Sequence, residues 1–236
     1  MTDLSVSNVE HSARLNTSAQ MEQIHRAWEL FPPDNIQLFE LRAIDPSYAM
    51  HPQVKHFRAD KYDCLASLQN AFEDRALELN QAGYNIYTTL NPIRPDFSGM
   101  AAKDADVLHR RLLLIDIDRV GVTTQPATDE ELNKAHALAE AISGFLNENG
   151  WPSPRRLMSG NGYHLYYRLH DLPNTNEVTA LVKGVLNQLG KKFDNDEFAI
   201  DTSVFNASRI TKVPGTIARK GQETEERPYR MARLLR

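Results

Sequence analysis

One string constrains this chain more than any other: RRLLLIDID, Arg110 to Asp118. The apolar run Leu112 to Ile115, closed by acid, Ile117 and acid again, reads as a buried strand that surfaces at its carboxyl end. Side chains of a strand alternate between faces, so Asp116 and Asp118 project from the same one. Two carboxylates placed this way repel unless a proton or a cation neutralises them, and a hard oxygen site suits magnesium or manganese. Two such ions held about 4 Å apart can clamp the attacking and leaving oxygens of a phosphoryl transfer. The plain alternative for an isolated pair of this kind is an acidic strand end in water.

The rest of the chain places that strand in an α+β setting. Residues 1–17 are polar and read as a disordered leader. A short helix follows with Met21, Ile24 and Trp28 on one face, and Pro32 and Pro33 stop it. IQLFELRAI, Ile36 to Ile44, alternates like a strand. After Phe57 a helix presents Leu65, Leu68, Phe72, Ala76 and Leu79 as one stripe, with Gly83 where a C-terminal cap belongs. GYNIYTTLNPI is β-rich. Thr128 and Glu131 form a capping box for a helix reaching about Glu148, with Gly150 just beyond. Two strands, RRLM and YHLYYRL, flank a glycine turn, and a further helix covers about Glu177 to Lys191. The remainder is β-like, with turns at Pro214-Gly215 and Lys220-Gly221. Helices and strands mix without a strict βαβ rhythm, which favours an α+β domain.

Composition narrows the classes. No apolar run in the 236 residues is long enough to span a membrane, and the polar N-terminus lacks a signal-peptide core, so a cytoplasmic protein is expected. The lone cysteine, Cys64, excludes an internal disulfide and a cysteine zinc cluster. The net charge of −4 argues weakly against a chain coated in nucleic acid, yet Arg209 to Arg236 carries eight Lys or Arg against three Glu. That basic stretch is either a solvated tail or a surface that meets phosphates.

Two further strings join the acid pair. SGNGYHLYY, Ser159 to Tyr167, sets Gly160 and Gly162 beside Ser159 and Asn161. Glycines there allow positive φ and close approach, so backbone amides can converge on an anion. Ser159 can donate to a phosphate oxygen, as can His164 at the start of the next strand. A hairpin turn with a structural histidine is the plain alternative. AIDTSVFNASRITKVPGT, Ala199 to Thr216, supplies Asp201 as a third acid, and two metals usually need more than two carboxylates. Arg209, Lys212 and Lys220 are cations able to neutralise a triphosphate. Asn206 either contacts a nucleotide or braces its loop. Asp194 and Asp196, in FDNDEF, compete with Asp201 but read as a solvated turn. For Tyr87, Asn91 and Arg94, a base- or template-binding role stands beside packing and turn formation.

An apolar strand ending in acid–x–acid is also how haloacid-dehalogenase-like phosphohydrolases begin, with FDNDEF forced into the later acidic role. The long chain before Asp116 and the Ser159–His164 string have no place there. In order, LLLIDIDR, SGNGYHLYY and IDTSVFNASRI with KVPGT and KG resemble the archaeo-eukaryotic primase superfamily, in its plasmid and phage primase-polymerase branch. The resemblance runs from about Ile36 to the C-terminus.

It implies an RRM-like catalytic sheet packed with an N-terminal α/β subdomain, the active site lying in the cleft between them. The corresponding division is about 18–105 and 106–236. It implies Asp116, Asp118 and Asp201 as ligands of Mg2+ or Mn2+, and Ser159 and His164 as contacts to the triphosphate of the incoming nucleotide. Gly160, Asn161, Asn206, Arg209, Lys212 and Lys220 complete the expected nucleotide site. The implied activity is that of a DNA primase and DNA-directed polymerase in the replication of a plasmid, phage or related element. Its partners are single-stranded DNA template, primer and nucleoside triphosphates. No GxxxxGK[ST] string is present, so a helicase or a C-terminal priming domain would be supplied by another chain or by a longer protein of which this is the catalytic part. Extension is the firmer expectation and de novo priming the weaker. A non-catalytic nucleic-acid-binding replication module is the alternative from a different class.

Overall fold

A computed structural model describes residues 17–30, 37–121 and 124–235. The expected leader therefore lies outside the described residues apart from Thr17, as do Pro32, Pro33 and Ile36. Residues 17–25 form helix α1, and Ala27–Leu30 a short α2. Strands β1 (Leu38–Ile44), β2 (Gln53–Arg58) and β3 (Asn85–Thr89) surround α3 (Leu65–Gln81) in the sequence. Next come β4 (His109–Arg119), α4 (Asp129–Glu148), β5 (Arg155–Met158), β6 (Tyr163–Pro173) and α5 (Asn176–Phe193). Short strands complete the described chain: β7 (Phe198–Ile200), β8 (Ile210–Lys212), β9 (Ile217–Ala218), β10 (Arg230–Met231) and β11 (Arg233–Leu234).

The strands form two main antiparallel sheets, in the orders β2-β1-β3-β8 and β11-β5-β6-β4-β7, with β9 and β10 as a separate ribbon. The chain thus crosses from the second sheet back to the first between β7 and β8. Each sheet has its own core. Helix α3 covers the four-stranded sheet with Leu68, Phe72, Ala76 and Leu79, the spacing that keeps one helical face apolar. Burying each of the larger of these side chains, Leu68, Phe72 and Leu79, contributes about 1.5–3 kcal/mol relative to exposure. Leu65, expected on the same stripe, is 45% exposed because it opens the helix directly after the Cys64 cap and overhangs its end. Helices α4 and α5 pack over β4, β6 and β7 around Leu113, Ile115, Ile117, Leu165, Leu186 and Leu189.

The capping box at α4 forms as its spacing requires. Thr128 Oγ1 accepts from Glu131 N at 3.1 Å, and the Glu131 carboxylate accepts from Thr128 N at 2.8 Å. That carboxylate also gathers two arginines, Arg119 at 2.7 Å and Arg227 at 2.8 Å. Arg230 pairs with Asp129 at 2.8 Å and donates to the Ala127 carbonyl. Part of the basic C-terminal stretch is therefore neither a solvated tail nor a phosphate surface. It clips the end of the chain to the start of α4.

Glu131 makes this clip acid-sensitive. Burial pushes its pKa up, but the Arg227 hydrogen bonds, the cap and the Arg119 charge outweigh that and hold it at about 2, against 4.5 ordinarily. A folded-state pKa below the unfolded value gives stability that is present above the unfolded pKa and lost as pH falls toward the folded one. Between about pH 5 and about pH 3 the native chain should lose about 1 kcal/mol more than Glu131→Gln, a figure already reduced for screening by water. Urea unfolding at the two pH values measures it, and equal losses would show that the clip contributes nothing.

Candidate active site

The acid pair stands where the strand alternation requires. Leu113, Ile115 and Ile117 point into the α4/α5 core, and Asp116 and Asp118 leave from the opposite face of β4. Antiparallel pairing of β4 with β6 puts His164 directly across from Asp116, and cross-strand partners share a face. His164 Nε2 lies 3.2 Å from Asp116 Oδ1. Burial disfavours the charged form of both groups. Their mutual attraction wins, leaving the Asp116 carboxyl below and the His164 imidazole above the usual range. Asp118 behaves oppositely: repulsion by Asp116, followed by burial, pushes it up to about 6.

These groups line a pocket of about 670 Å³ together with residues of the other sheet and of the following loops. Asn85 and Tyr87 enter from β3, Lys212 from β8, and Arg209, Arg219 and Lys220 from the flanking loops. Lys212 is 4% exposed. Its Nζ donates to Asn85 Oδ1 at 2.8 Å and lies 4.8 Å from the centre of the Tyr87 ring. Burial, with the nearby Arg219 charge, brings its pKa down to about 7. The charges of Arg209 and Lys220 both bear on Asp116, and that of Lys220 also on Asp118. Acid on one wall and cations on the other give a pocket that can hold divalent cations and a polyanion at once.

The glycine turn serves this pocket through packing. A Cβ at Gly162 would lie 2.3 Å from the Ile117 carbonyl oxygen, so only glycine lets the turn press against β4 beside Asp118. Gly160 has φ +103, and a Cβ there would meet the Ala218 methyl at 2.4 Å, so the β9–β10 ribbon closes over it. Ser159 and Asn161 line the pocket, whereas Gly160 is not among the lining residues. Ser159 Oγ donates to Gly162 O at 3.2 Å, and Asn161 Oδ1 accepts from Ala127 N at 2.9 Å.

Two expected residues stand apart. Asp201 donates its backbone N–H to Asp116 O at 2.8 Å, and its charge adds to the upward push on Asp118. Its carboxylate, however, accepts from Ser203 N at 2.8 Å and does not line the pocket. Asn206 reaches Asp104 and Ser208 at 3.5 and 3.3 Å, bracing its loop away from the pocket. Asp194 accepts from Ile200 N at 2.8 Å at the end of α5, so FDNDEF is a turn, and neither Asp194 nor Asp196 lines the pocket of Asp116 and Asp118. Asn91 is buried and bonds Ala207, Arg111 and Leu112, while Arg94 pairs with Asp96 at the surface.

Among the described residues, no three His, Cys, Asp or Glu side chains converge as a ready-made cage. The mutual repulsion that raises Asp118 is nevertheless the electrostatic condition that a hard dication relieves, so the Asp116–Asp118 pair fits magnesium or manganese. Tyr48, Asn85, Thr211 and Arg219 also line the pocket, and no motif in the sequence marks them. The only local signal for any of them is Asp45 in DPSY, whose side chain caps the turn carrying Tyr48.

Two antiparallel sheets, with the acid pair on an interior strand of one and a basic wall drawn partly from the other, form a fold shared with the catalytic domains of primase-polymerases. The chain is similar to the AEP domain of the cyanophage S-2L primase-polymerase, with TM-score 0.56 and 17% identity over 91% of this chain and 89% of that one. It is also similar to the polymerase domain of Mycobacterium tuberculosis ligase D in complex with DNA, with TM-score 0.50 and 14% identity over 91% and 80%. No family model matches the sequence, and no curated protein does. Among the described residues, no helix is long and apolar enough to cross a membrane.

Proposed function

We propose that this chain is a template-directed nucleotidyltransferase that adds nucleotides from nucleoside triphosphates to a 3′-hydroxyl on DNA. The observation that carries the reading is the single pocket in which Asp116, Asp118 and His164 face Lys212, Arg219 and Lys220. Its volume lies within the range of small-ligand sites. In this reading residues of about 106–236 form the RRM-like catalytic part and residues of about 18–105 the N-terminal α/β part, to whose sheet β8 returns, with substrate in the cleft between them.

Asp116 and Asp118 hold the divalent ions, with Asp201 reaching them by turning from Ser203. Bound magnesium or manganese supplies acidity to the primer hydroxyl and charge neutralisation to the triphosphate. Ser159, Asn161 and His164 donate to the phosphates, while Arg209, Lys212 and Lys220 offset the remaining charge. The 3′-oxygen forms the new bond to the α-phosphorus, the bond to pyrophosphate breaks, and the hydroxyl proton leaves to solvent. Single-stranded DNA selects the base. The replication of a plasmid, phage or related element is the setting that this chemistry serves.

The test is one labelled-nucleotide assay with manganese or magnesium, on primed and on unprimed single-stranded DNA. Template-dependent extension of the primer is expected. DNA binding without incorporation under either metal would overturn the catalytic reading in favour of a non-catalytic binding module.

A further inference from the structure

His164 is held from behind by two hydroxyls that the proposed chemistry does not use. Its Nδ1 lies 3.0 Å from the Tyr166 hydroxyl and 3.4 Å from Thr211 Oγ1, and those two oxygens are 2.6 Å apart. Tyr166 is 2% exposed and Thr211 1%. Burial pushes the Tyr166 phenol far up, so it is a hydroxyl at every working pH. Tyr166 follows His164 on β6, whereas Thr211 belongs to β8 in the other sheet. The hydroxyl pair therefore spans the two sheets at the back of the imidazole.

The arrangement restricts the ring. Asp116 as a carboxylate can only accept, so the nitrogen facing it, Nε2, must carry a hydrogen. Nδ1 then accepts when the ring is neutral and donates when it is protonated. A hydroxyl serves either need by rotating, and two linked hydroxyls also satisfy each other. Nε2–H is thus a donor in both states of the ring, as a group meant to bind phosphate oxygen has to be.

We infer that Tyr166 and Thr211 are positioning residues that fix the His164 ring with Nε2–H directed to the Asp116 side of the pocket. The inference rests on the proposed contact between His164 and the nucleotide triphosphate. It adds that this donor is oriented only when β8 is docked against β6, because one of its two supports comes from each sheet.

The test compares Tyr166→Phe, Thr211→Val, Thr211→Ser and His164→Ala in primer extension over a range of nucleotide concentrations. Tyr166→Phe and Thr211→Val should each raise the nucleotide KM about ten-fold with a smaller effect on kcat. Thr211→Ser, which keeps the hydroxyl, should stay near the native value. In a His164→Ala background Tyr166→Phe should add no further loss, because its effect passes through the imidazole. Proton–nitrogen correlation spectra without nucleotide give a second readout: a sharp His164 Nε2–H signal in the native chain and one broadened by ring motion in Thr211→Val. Native KM in both hydroxyl variants, or an equal loss with His164 already removed, overturns the inference while leaving the proposed function intact. Native extension by His164→Ala sinks the phosphate role of His164, and the inference with it.

Discussion

Replacing Asp116 and Asp118 together by asparagine is expected to lower nucleotide incorporation by about 10³-fold or more while the chain still folds. The loss follows from removing the proposed metal donors, whose charge stabilisation is worth several kcal/mol at about 1.4 kcal/mol per factor of ten. Folding responds differently because the two acids sit in different fields. Asp116 is favoured as an anion by His164, so its amide costs some stability, although an asparagine oxygen can still accept from Nε2. Asp118 is disfavoured as an anion, chiefly by Asp116. Its folded pKa of about 6 lies above the ordinary 3.8, so the native chain loses stability as pH rises from the lower value to the higher. Asp118→Asn alone should abolish that loss and raise the melting temperature at neutral pH. The pocket wall desolvates this carboxyl only in part, since the residue still meets solvent at the strand end, and water screens part of the effect. Extension assays and thermal unfolding of the single and double variants check both halves. Full extension by the double variant would remove the metal assignment.

Lys212→Met should move stability and binding in opposite directions. A buried lysine whose pKa falls from 10.5 to about 7 binds fewer protons in the folded chain than in the unfolded one. Native stability therefore rises with pH between those values. At neutral pH the penalty is at most about 4 kcal/mol, which methionine would relieve without orphaning Asn85, since Asn85 Oδ1 also accepts from Arg219 N at 2.8 Å. Nucleotide affinity should fall about 10–100-fold, the usual worth of a hydrogen bond to a charged partner. The same residue predicts proton uptake. A triphosphate beside Lys212 favours its charged form, so binding at about pH 8 should draw a proton from the buffer. Calorimetry in two buffers of different ionisation heat measures this. Identical heats, or native affinity in Lys212→Met, would place Lys212 outside the nucleotide site. A stability gain matched by a binding loss is the pattern of a group retained for function.

Much of this molecule was legible where the signal is local. The apolar lead-in of β4, the capping box at Thr128 and Glu131, and the stripe Leu68–Phe72–Ala76–Leu79 all emerge as read, because strand alternation and helical periodicity act over a few residues. Leu65 shows the limit of periodicity at a helix end, where a side chain on the right face has nothing to pack against. The basic C-terminal stretch shows a second limit. Lys220 and Arg227 are alike as charges, yet one faces the acid pair and the other is locked to Glu131. Gly160 and Gly162 were readable as special, but the close neighbours that require them, Ala218 and Ile117, come from distant strands.

The amino-acid order alone thus determined that two carboxylates share one face at the end of a buried strand, since that follows from backbone geometry within nine residues of chain. Tertiary structure decided what those carboxylates face. The register of β4 against β6 puts His164 opposite Asp116, and a slip of one residue would turn it to the other side of the sheet. The docking of β8 then brings Lys212 to one side of the pocket and Thr211 behind the imidazole. No local pattern encodes those meetings: strand register within one sheet sets the first, and the fit of two separately packed cores sets the others.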